Sequence, residues 1–212
     1  MRKQYNEQLA VLNTNLIRMC ALCEDAISIA IHMMLDGDHS RISQVEGLEE
    51  RIDEMNRSIE MLCTRLLLMQ QPVASDLRMV SSAINMISDL ERIGDQALDI
   101  SEIAAQNDFS VLSVQFHVKE MAIATIGMVT DSVDSFVKNN LALAKSIAAA
   151  DDKVDQLFTQ VKEELTAHLM KQQEDSEIVM NMLLIAKYLE RIADHAVNVS
   201  EWVIYSITGE MK

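Results

Sequence analysis

The chain has 212 residues, 49% of them apolar, and a formal net charge of −15. That charge disfavours nucleic-acid phosphates and anionic membrane surfaces, whose non-specific binding depends on clustered Lys and Arg, and it favours cations and basic protein surfaces. Five glycines and one proline leave few turn signals for a multi-stranded sheet. With no signal-peptide pattern and no uncharged run near the roughly 18 residues of a membrane span, the expectation is a cytoplasmic, all-helical protein without membrane insertion.

In chain order, a 3.6-residue apolar pattern runs from about Tyr5 to Leu35 and stops at Asp36-Gly37-Asp38, with Asp38 placed to cap the next helix. A second helix is predicted from about Ser40 to Met69, ended by Gln70-Gln71-Pro72, and a third from there to about Gln106, before Asn107-Asp108. The plan then restarts. A fourth helix is expected from Ser110 to about Lys138, a fifth from the Asn139-Asn140 break to about Lys171, and a sixth from beyond Gln172-Gln173 to about Ile207, before Gly209. Short connections favour antiparallel neighbours. The expected fold is therefore all-α, two tandem three-helix bundles at residues 1–108 and 109–212.

An internal repeat supports this division. Leu90 to Glu102 reads LERIGDQALDISE and Leu189 to Glu201 reads LERIADHAVNVSE, identical at eight places. The first copy sets Glu91, Asp95 and Asp99 at i, i+4 and i+8, and the second sets Glu190, Asp194 and Asn198 likewise. Further acidic pairs, Glu49 with Asp53 and Asp151 with Asp155, occupy the preceding helix of each unit. Folding each hairpin about its turn makes Asp53 level with Leu90, Glu49 with Gly94, Asp155 with Glu190 and Asp151 with Asp194, at about 1.5 Å rise per residue. At about 100° per residue, Asp95, Asp99 and Glu102 fall within about 80° of Glu91, beside the apolar stripe. His195 points about 100° away from Asp194 and reads as a surface or interhelix residue.

Like charges at i and i+4 destabilise a helix by roughly 0.2 to 0.5 kcal/mol per pair, and a multivalent cation reverses that sign. Oxygen-only sites suit iron, manganese, magnesium or calcium, and the lack of nearby His or Cys argues against structural zinc. Di-iron bundles use Glu-x-x-His. The nearest arrangement in this chain, Glu164 and His168, has the wrong spacing. The competing reading is a solvated acidic face with Arg92 and Arg191 pairing to neighbouring acids; four pairs related by the repeat and level across two hairpins favour metal.

Cys20, Cys23 and Cys63 lie in helical stretches, without a second CxxC or a strand leading into the first, so they read as core residues. Fifteen methionines read first as adaptable packing, with Met180, Met182, Leu183 and Trp202 the places to look for an exposed groove. No phosphate-cradling Gly-rich loop with Lys and no GxSxG elbow is present, so no catalytic residue is assigned and an enzyme is not expected.

At Leu90-Glu91-Arg92-Ile93-Gly94-Asp95, at Leu189-Glu190-Arg191-Ile192-Ala193-Asp194-His195-Ala196, at Pro72-Val73-Ala74-Ser75-Asp76-Leu77-Arg78 and at the closing Gly209, the chain resembles the PhoU family over nearly its whole length. The resemblance implies paired three-helix bundles whose E(D)xxxD motifs bind multinuclear metal clusters: iron foremost, with manganese, magnesium, zinc or calcium as alternatives. It makes Glu49, Asp53, Glu91, Asp95, Asp99, Asp151, Asp155, Glu190, Asp194 and Asn198 the metal-site candidates. Ala193 replaces Gly94 of the first copy, and Asn198 in place of Asp99 removes a charge from the second. It further implies an adaptor and negative regulator of the phosphate-starvation response, a homodimer whose partners are a phosphate transporter's ATPase subunit and a sensor histidine kinase. The alternatives are a metal-buffering paralogue serving another transporter, or a carboxylate-bridged metalloenzyme.

Overall fold

A computed structural model describes residues 2–68, 73–109, 112, 115–172 and 176–210. They form six α-helices, α1 (Arg2–Asp36), α2 (Ile42–Leu68), α3 (Ala74–Gln106), α4 (Gln115–Val137), α5 (Leu141–Leu169) and α6 (Ser176–Thr208). No strand occurs among the described residues, and no helix is long and apolar enough to cross a membrane.

The helix ends follow local chemistry. Gly37, with φ of +66°, reverses the chain after α1, and Asp38 accepts hydrogen bonds from the Ser40 amide at 3.2 Å and hydroxyl at 2.6 Å. The capped segment is a single 3-10 turn, His39–Arg41, before α2 begins, so the helix predicted from Ser40 starts two residues later. Asn139 takes φ of +50°, a conformation its short polar side chain tolerates, and Asn140 caps α5 by accepting from the Leu143 amide at 3.1 Å. The breaks expected at Gln70-Gln71-Pro72 and at Gln173 lie outside the described residues.

One boundary moves further. The fourth helix begins at Gln115, not at Ser110. Phe109 and Leu112 are 1% and 3% exposed, and Leu112 donates a turn hydrogen bond to the Phe109 carbonyl at 3.0 Å. This apolar pair drives its side chains into the core from a tight turn, so its hydrophobicity reads as helix in sequence and is spent on anchoring the connection.

Packing gives two three-helix units, α1 with α2 and α3, and α4 with α5 and α6. They are joined along two seams, α3 against α6 and α1 against α4. Both seams are antiparallel. At the ends of the first, Arg78 donates to the Ser206 carbonyl at 3.5 Å and Asn181 to Asn107 at 2.8 Å. In the second, Thr130 donates to Glu24 at 2.8 Å. The core is continuous across the units, with Leu90, Ile93, Ala97, Leu189, Ile192 and Ala196 all fully buried.

Cys20, Cys23 and Cys63 are free and buried. Burial pushes the Cys20 and Cys23 thiols well up and the Cys63 thiol to about 12, so none is a poised thiolate. Most of the methionines that matter to packing, Met19, Met33, Met86 and Met182 among them, are buried. Met182 therefore belongs to the core and lines no exposed groove, while Met180 beside it is 54% exposed.

Candidate metal centre

Two acidic quartets form, one across each α2/α3-type hairpin. In the first unit, burial and then the charges of Asp53, Asp95, Glu50 and Glu91 hold the Glu49 carboxyl above its ordinary value. Glu91 is raised by burial and then by Asp53 and Asp95. Glu49, Asp53, Glu91 and Asp95 are thus electrostatic neighbours drawn from two helices. In the second unit, burial followed by Asp155, Asp194, Asp152 and Glu190 lifts Asp151 to about 6. Burial, then Glu190 and Asp155, raise Asp194 against the opposing pull of Lys187 and His195. Asp151, Asp155, Glu190 and Asp194 are the matching set.

What brings each quartet together is a close helix approach. Gly94 is buried in α3, and a Cβ there would sit 2.9 Å from Ile52 Cδ1 and 3.3 Å from its Cγ2. Ile52, 1% exposed, lies between Glu49 and Asp53, so the glycine lets the two acid-bearing helices close on one another. Its repeat counterpart Ala193 is fully buried as well. The contacting side chains Asn56 and Glu91 are about four residues out of the level pairing, since a turn centred on 71/72 sets Glu91 beside Ile52. Both side chains lean toward the N-terminus of their own helix, and in an antiparallel pair those displacements add.

The third member of each acidic row goes elsewhere. Asp99 accepts a hydrogen bond from the Tyr188 hydroxyl of α6 and lies near Arg191; burial nevertheless keeps its carboxyl above the ordinary value. Asn198 donates to Asp89 of α3 at 3.2 Å, and His195 Nδ1 contacts the same Asp89 oxygen at 2.8 Å. His195 is thus the interhelix residue its rotation implied. The reason for the divergence is geometric. A four-residue step advances a helix by about 40° beyond a full turn, so after eight residues the row has rotated about 80° from the hairpin toward the α3/α6 seam. In that seam Gln96, the repeat counterpart of His195, is 4% exposed and its Oε1 has no partner among the described residues.

The quartet carboxylates have neighbours that sequence reading passed over. Asn56 donates to Glu91. Arg92 pairs with Asp95 at 3.2 Å and Arg57 with Asp53 at 3.9 Å, both arginines about two-thirds exposed (66% and 67%). In the second unit Lys187 pairs with Glu190. The Arg92 pair is the one that the competing reading of a solvated acidic face called for. A usable signal lay in the repeat itself, because Asn56 and Lys187 occupy positions where the copies differ in chemical type, being matched by Phe158 and Ser88. Among the described residues, no three His, Cys, Asp or Glu side chains are arranged to hold a metal ion. The carboxylates are grouped, but Glu91, Asp53, Asp95 and Glu190 are engaged by Asn56, Arg57, Arg92 and Lys187 respectively.

Comparison with known proteins places this architecture. The model of the PhoU domain matches residues 16–104 and again 118–203. A phosphate-specific transport system accessory protein PhoU homolog of Pseudomonas putida is 34% identical over 209 residues, covering 98% of this chain and 82% of its own. A homolog so named from Clostridium acetobutylicum is 33% identical, covering 99% and 96%. The crystal structure of PhoU from Pseudomonas aeruginosa superposes with a TM-score of 0.90 at 32% identity, covering 97% of this chain and all (100%) of that one. The phosphate transport system regulatory protein PhoU from Streptococcus pneumoniae gives 0.89 at 29% identity, over 98% and 99%. The domain match, in two copies spanning most of the chain, and the near-full-length relatives agree with the duplicated helical frame: this chain belongs to the PhoU family.

Proposed function

We propose that the chain is the accessory protein of a phosphate-specific transport system, acting as an adaptor that keeps the phosphate-starvation response silent when phosphate is plentiful. The observation that carries this reading is near-full-length similarity to relatives bearing that name, combined with both acidic quartets. Its partners in this reading are the transporter's ATPase subunit and the sensor histidine kinase, it works in the cytoplasm as a homodimer, and it carries no catalytic activity.

The metal reading concerns Glu49, Asp53, Glu91 and Asp95 in one cluster and Asp151, Asp155, Glu190 and Asp194 in the other. The donor set fits a hard cation: all are carboxylates, burial and then mutual repulsion raise Glu49, Glu91, Asp151 and Asp194, and His195 is engaged by Asp89. A multinuclear centre of iron, or of manganese, magnesium, zinc or calcium, would supply the charge these oxygens lack. Asp99 and Asn198 serve the α3/α6 seam in this reading, so the ligand set is eight residues, not ten.

The test is a phosphate-starvation reporter in phosphate-rich medium. Deletion of the gene derepresses the reporter, the intact gene restores silence, and a variant with Glu91, Asp95, Glu190 and Asp194 all changed to Ala fails to restore it and has lost metal. Unchanged repression on deletion would sink the regulatory reading and make a metal-buffering paralogue serving another transporter the better account. A fully active, metal-free quadruple variant would sink the metal part alone.

A further inference from the structure

Helix α2 packs mainly on α1 and α3, which leaves open an outer face shared by α1 and α2 where apolar side chains stand among unpaired arginines. We propose that this face is a docking strip for one amphipathic helix of a protein partner, a helix whose apolar stripe is flanked by carboxylates that meet Arg18 and Arg65. It rests on the adaptor reading for a partner to dock, but it is tested on the purified protein without the reporter, so that either can fail while the other stands.

Between the two helices runs an open groove of about 720 Å³ with an apolar lining of Ala21, Leu22 and Met55. Arg18 and Arg51 stand along it with Asp25 and Glu54, yet among the described residues these four form no ion pair, in contrast to Arg57 and Arg92. At seven-residue intervals, outward from the Gly37 turn, the same lines continue into exposed apolar side chains. On α1, Asp25 and Arg18 lead to Val11; on α2, Glu54 leads to Met61 and Leu68. Val11, Met61 and Leu68 are 44%, 60% and 80% exposed. The series Arg51, Ser58, Arg65 runs beside them, and Arg65 too is exposed and unpaired among the described residues.

The spacing identifies the occupant as a helix. Residues seven apart stay on one helix face to within about 20°, and a helix laid along two others at a shallow angle meets them at that interval. From Arg51 to Leu68 the strip runs about 25 Å, room for about five helical turns. Charge identifies the flanks. At the outer end Arg18 and Arg65 border Val11, Met61 and Leu68, so an apolar stripe edged by Asp or Glu satisfies both arginines, whereas a basic helix would set like charges together. The second unit lacks this combination. Cys23 and Thr125 donate to the carbonyls of the repeat counterparts Leu90 and Leu189, which aligns α1 with α4, and Asp53 with Asp155 aligns α2 with α5. On that alignment Arg18 is replaced by Glu120, Met61 by Glu163 and Arg65 by Ala167. Those acids repel the same helix, so each chain carries a single strip.

Fluorescence anisotropy on the full-length protein tests this, with a labelled synthetic peptide of about 21 residues that has Leu at the a and d positions of its heptads and Glu at e and g, held helical by side-chain lactam bridges. Binding of one peptide per chain is expected. R18E combined with R65E should weaken it by about 10-fold or more, the effect of two exposed ion pairs lost and two repulsions gained, while R18K combined with R65K should keep it within about 3-fold. M61S should weaken it by about 3- to 10-fold through the loss of one apolar anchor. The same peptide with Lys in place of Glu should bind the R18E and R65E variant no more weakly than it binds wild type. A Glu peptide that does not bind, or whose binding is unmoved by these charge reversals and by M61S, would overturn the docking strip. A wild-type protein that sediments as a dimer, and as a monomer once M61S is introduced, would give the strip to a second copy of this chain and overturn the assignment to a partner's helix.

Discussion

Gly94→Ala tests the helix approach on which the first quartet depends. In an ordinary helix interior the change adds about 1 kcal/mol of stability, because Gly loses more backbone freedom on folding. Here the new Cβ would lie 2.9 Å from Ile52 Cδ1 and 3.3 Å from Cγ2, and overpacking of this kind costs about 1–3 kcal/mol. The nearest atom is the tip of a side chain, which puts the cost toward the low end, but Ile52 is only 1% exposed and has little room to move. The expected net is a loss of about 0–1 kcal/mol, with the propensity gain cancelled. In an I52V background the Cδ1 atom is gone, so the same substitution should become stabilising, with a coupling of about 1 kcal/mol between the two sites. Urea denaturation of the four proteins of the cycle reads this directly, and for a chain of this length 1 kcal/mol corresponds to about 2–4 °C in Tm. A G94A protein stabilised by the full propensity gain, with no coupling to Ile52, would show that α2 and α3 do not need a glycine to close, and the account of the quartet's assembly would fail.

Two further outcomes are expected from the electrostatics. The Asp151 carboxyl rises from about 3.8 to about 6, so the metal-free folded state binds the extra proton between those values and stability should fall as pH rises from about 4 to about 6. Discounted for solvent screening, the contribution is about 1 kcal/mol. D151N should remove it, leaving a shallower fall across that window and a higher Tm than wild type at pH 7 in metal-free thermal melts; an unaltered pH profile would show that the quartet is not strained. Tyr188→Phe removes the donor to Asp99 and should cost about 1–2 kcal/mol in denaturant melts, whereas an unchanged midpoint would show that this hydrogen bond does not hold the α3/α6 seam.

The helices were legible because composition and a 3.6-residue period state them directly, and the breaks because Asp38, Asn139 and Asn140 are short polar residues that cap or turn the backbone. The start of α4 was not legible, since Phe109 and Leu112 are as apolar as a helix face and only the fold shows that they plug a connection. Sequence spacing also identified acids that the structure groups across each hairpin, although the register of contact differs from backbone level. The α3/α6 seam was the least legible feature. It joins Asp89 to His195 and Tyr188 to Asp99, residues about one hundred positions apart, and no local pattern encodes which helix of one repeat meets which helix of the other.

That seam explains why a row of three acids cannot serve one centre. Asp89 and Tyr188 are repeat counterparts, as are Asp99 and Asn198, and each contact across the antiparallel seam pairs a member of one set with a member of the other. Such reciprocity is what a pseudo-twofold relation between duplicated units requires. The first two acids of each row face the hairpin partner inside their own repeat, while the third has rotated to face the other repeat. One helical phrase therefore carries two functions separated by rotation, an acidic pair for the quartet and a polar residue for the joint between units. A change at Asp95 is then read at the cluster, a change at Asp99 at the joint, although the two are one helical turn apart. The acidic pairs and the joint between the repeats therefore share a single helix in each unit, α3 in the first and α6 in the second.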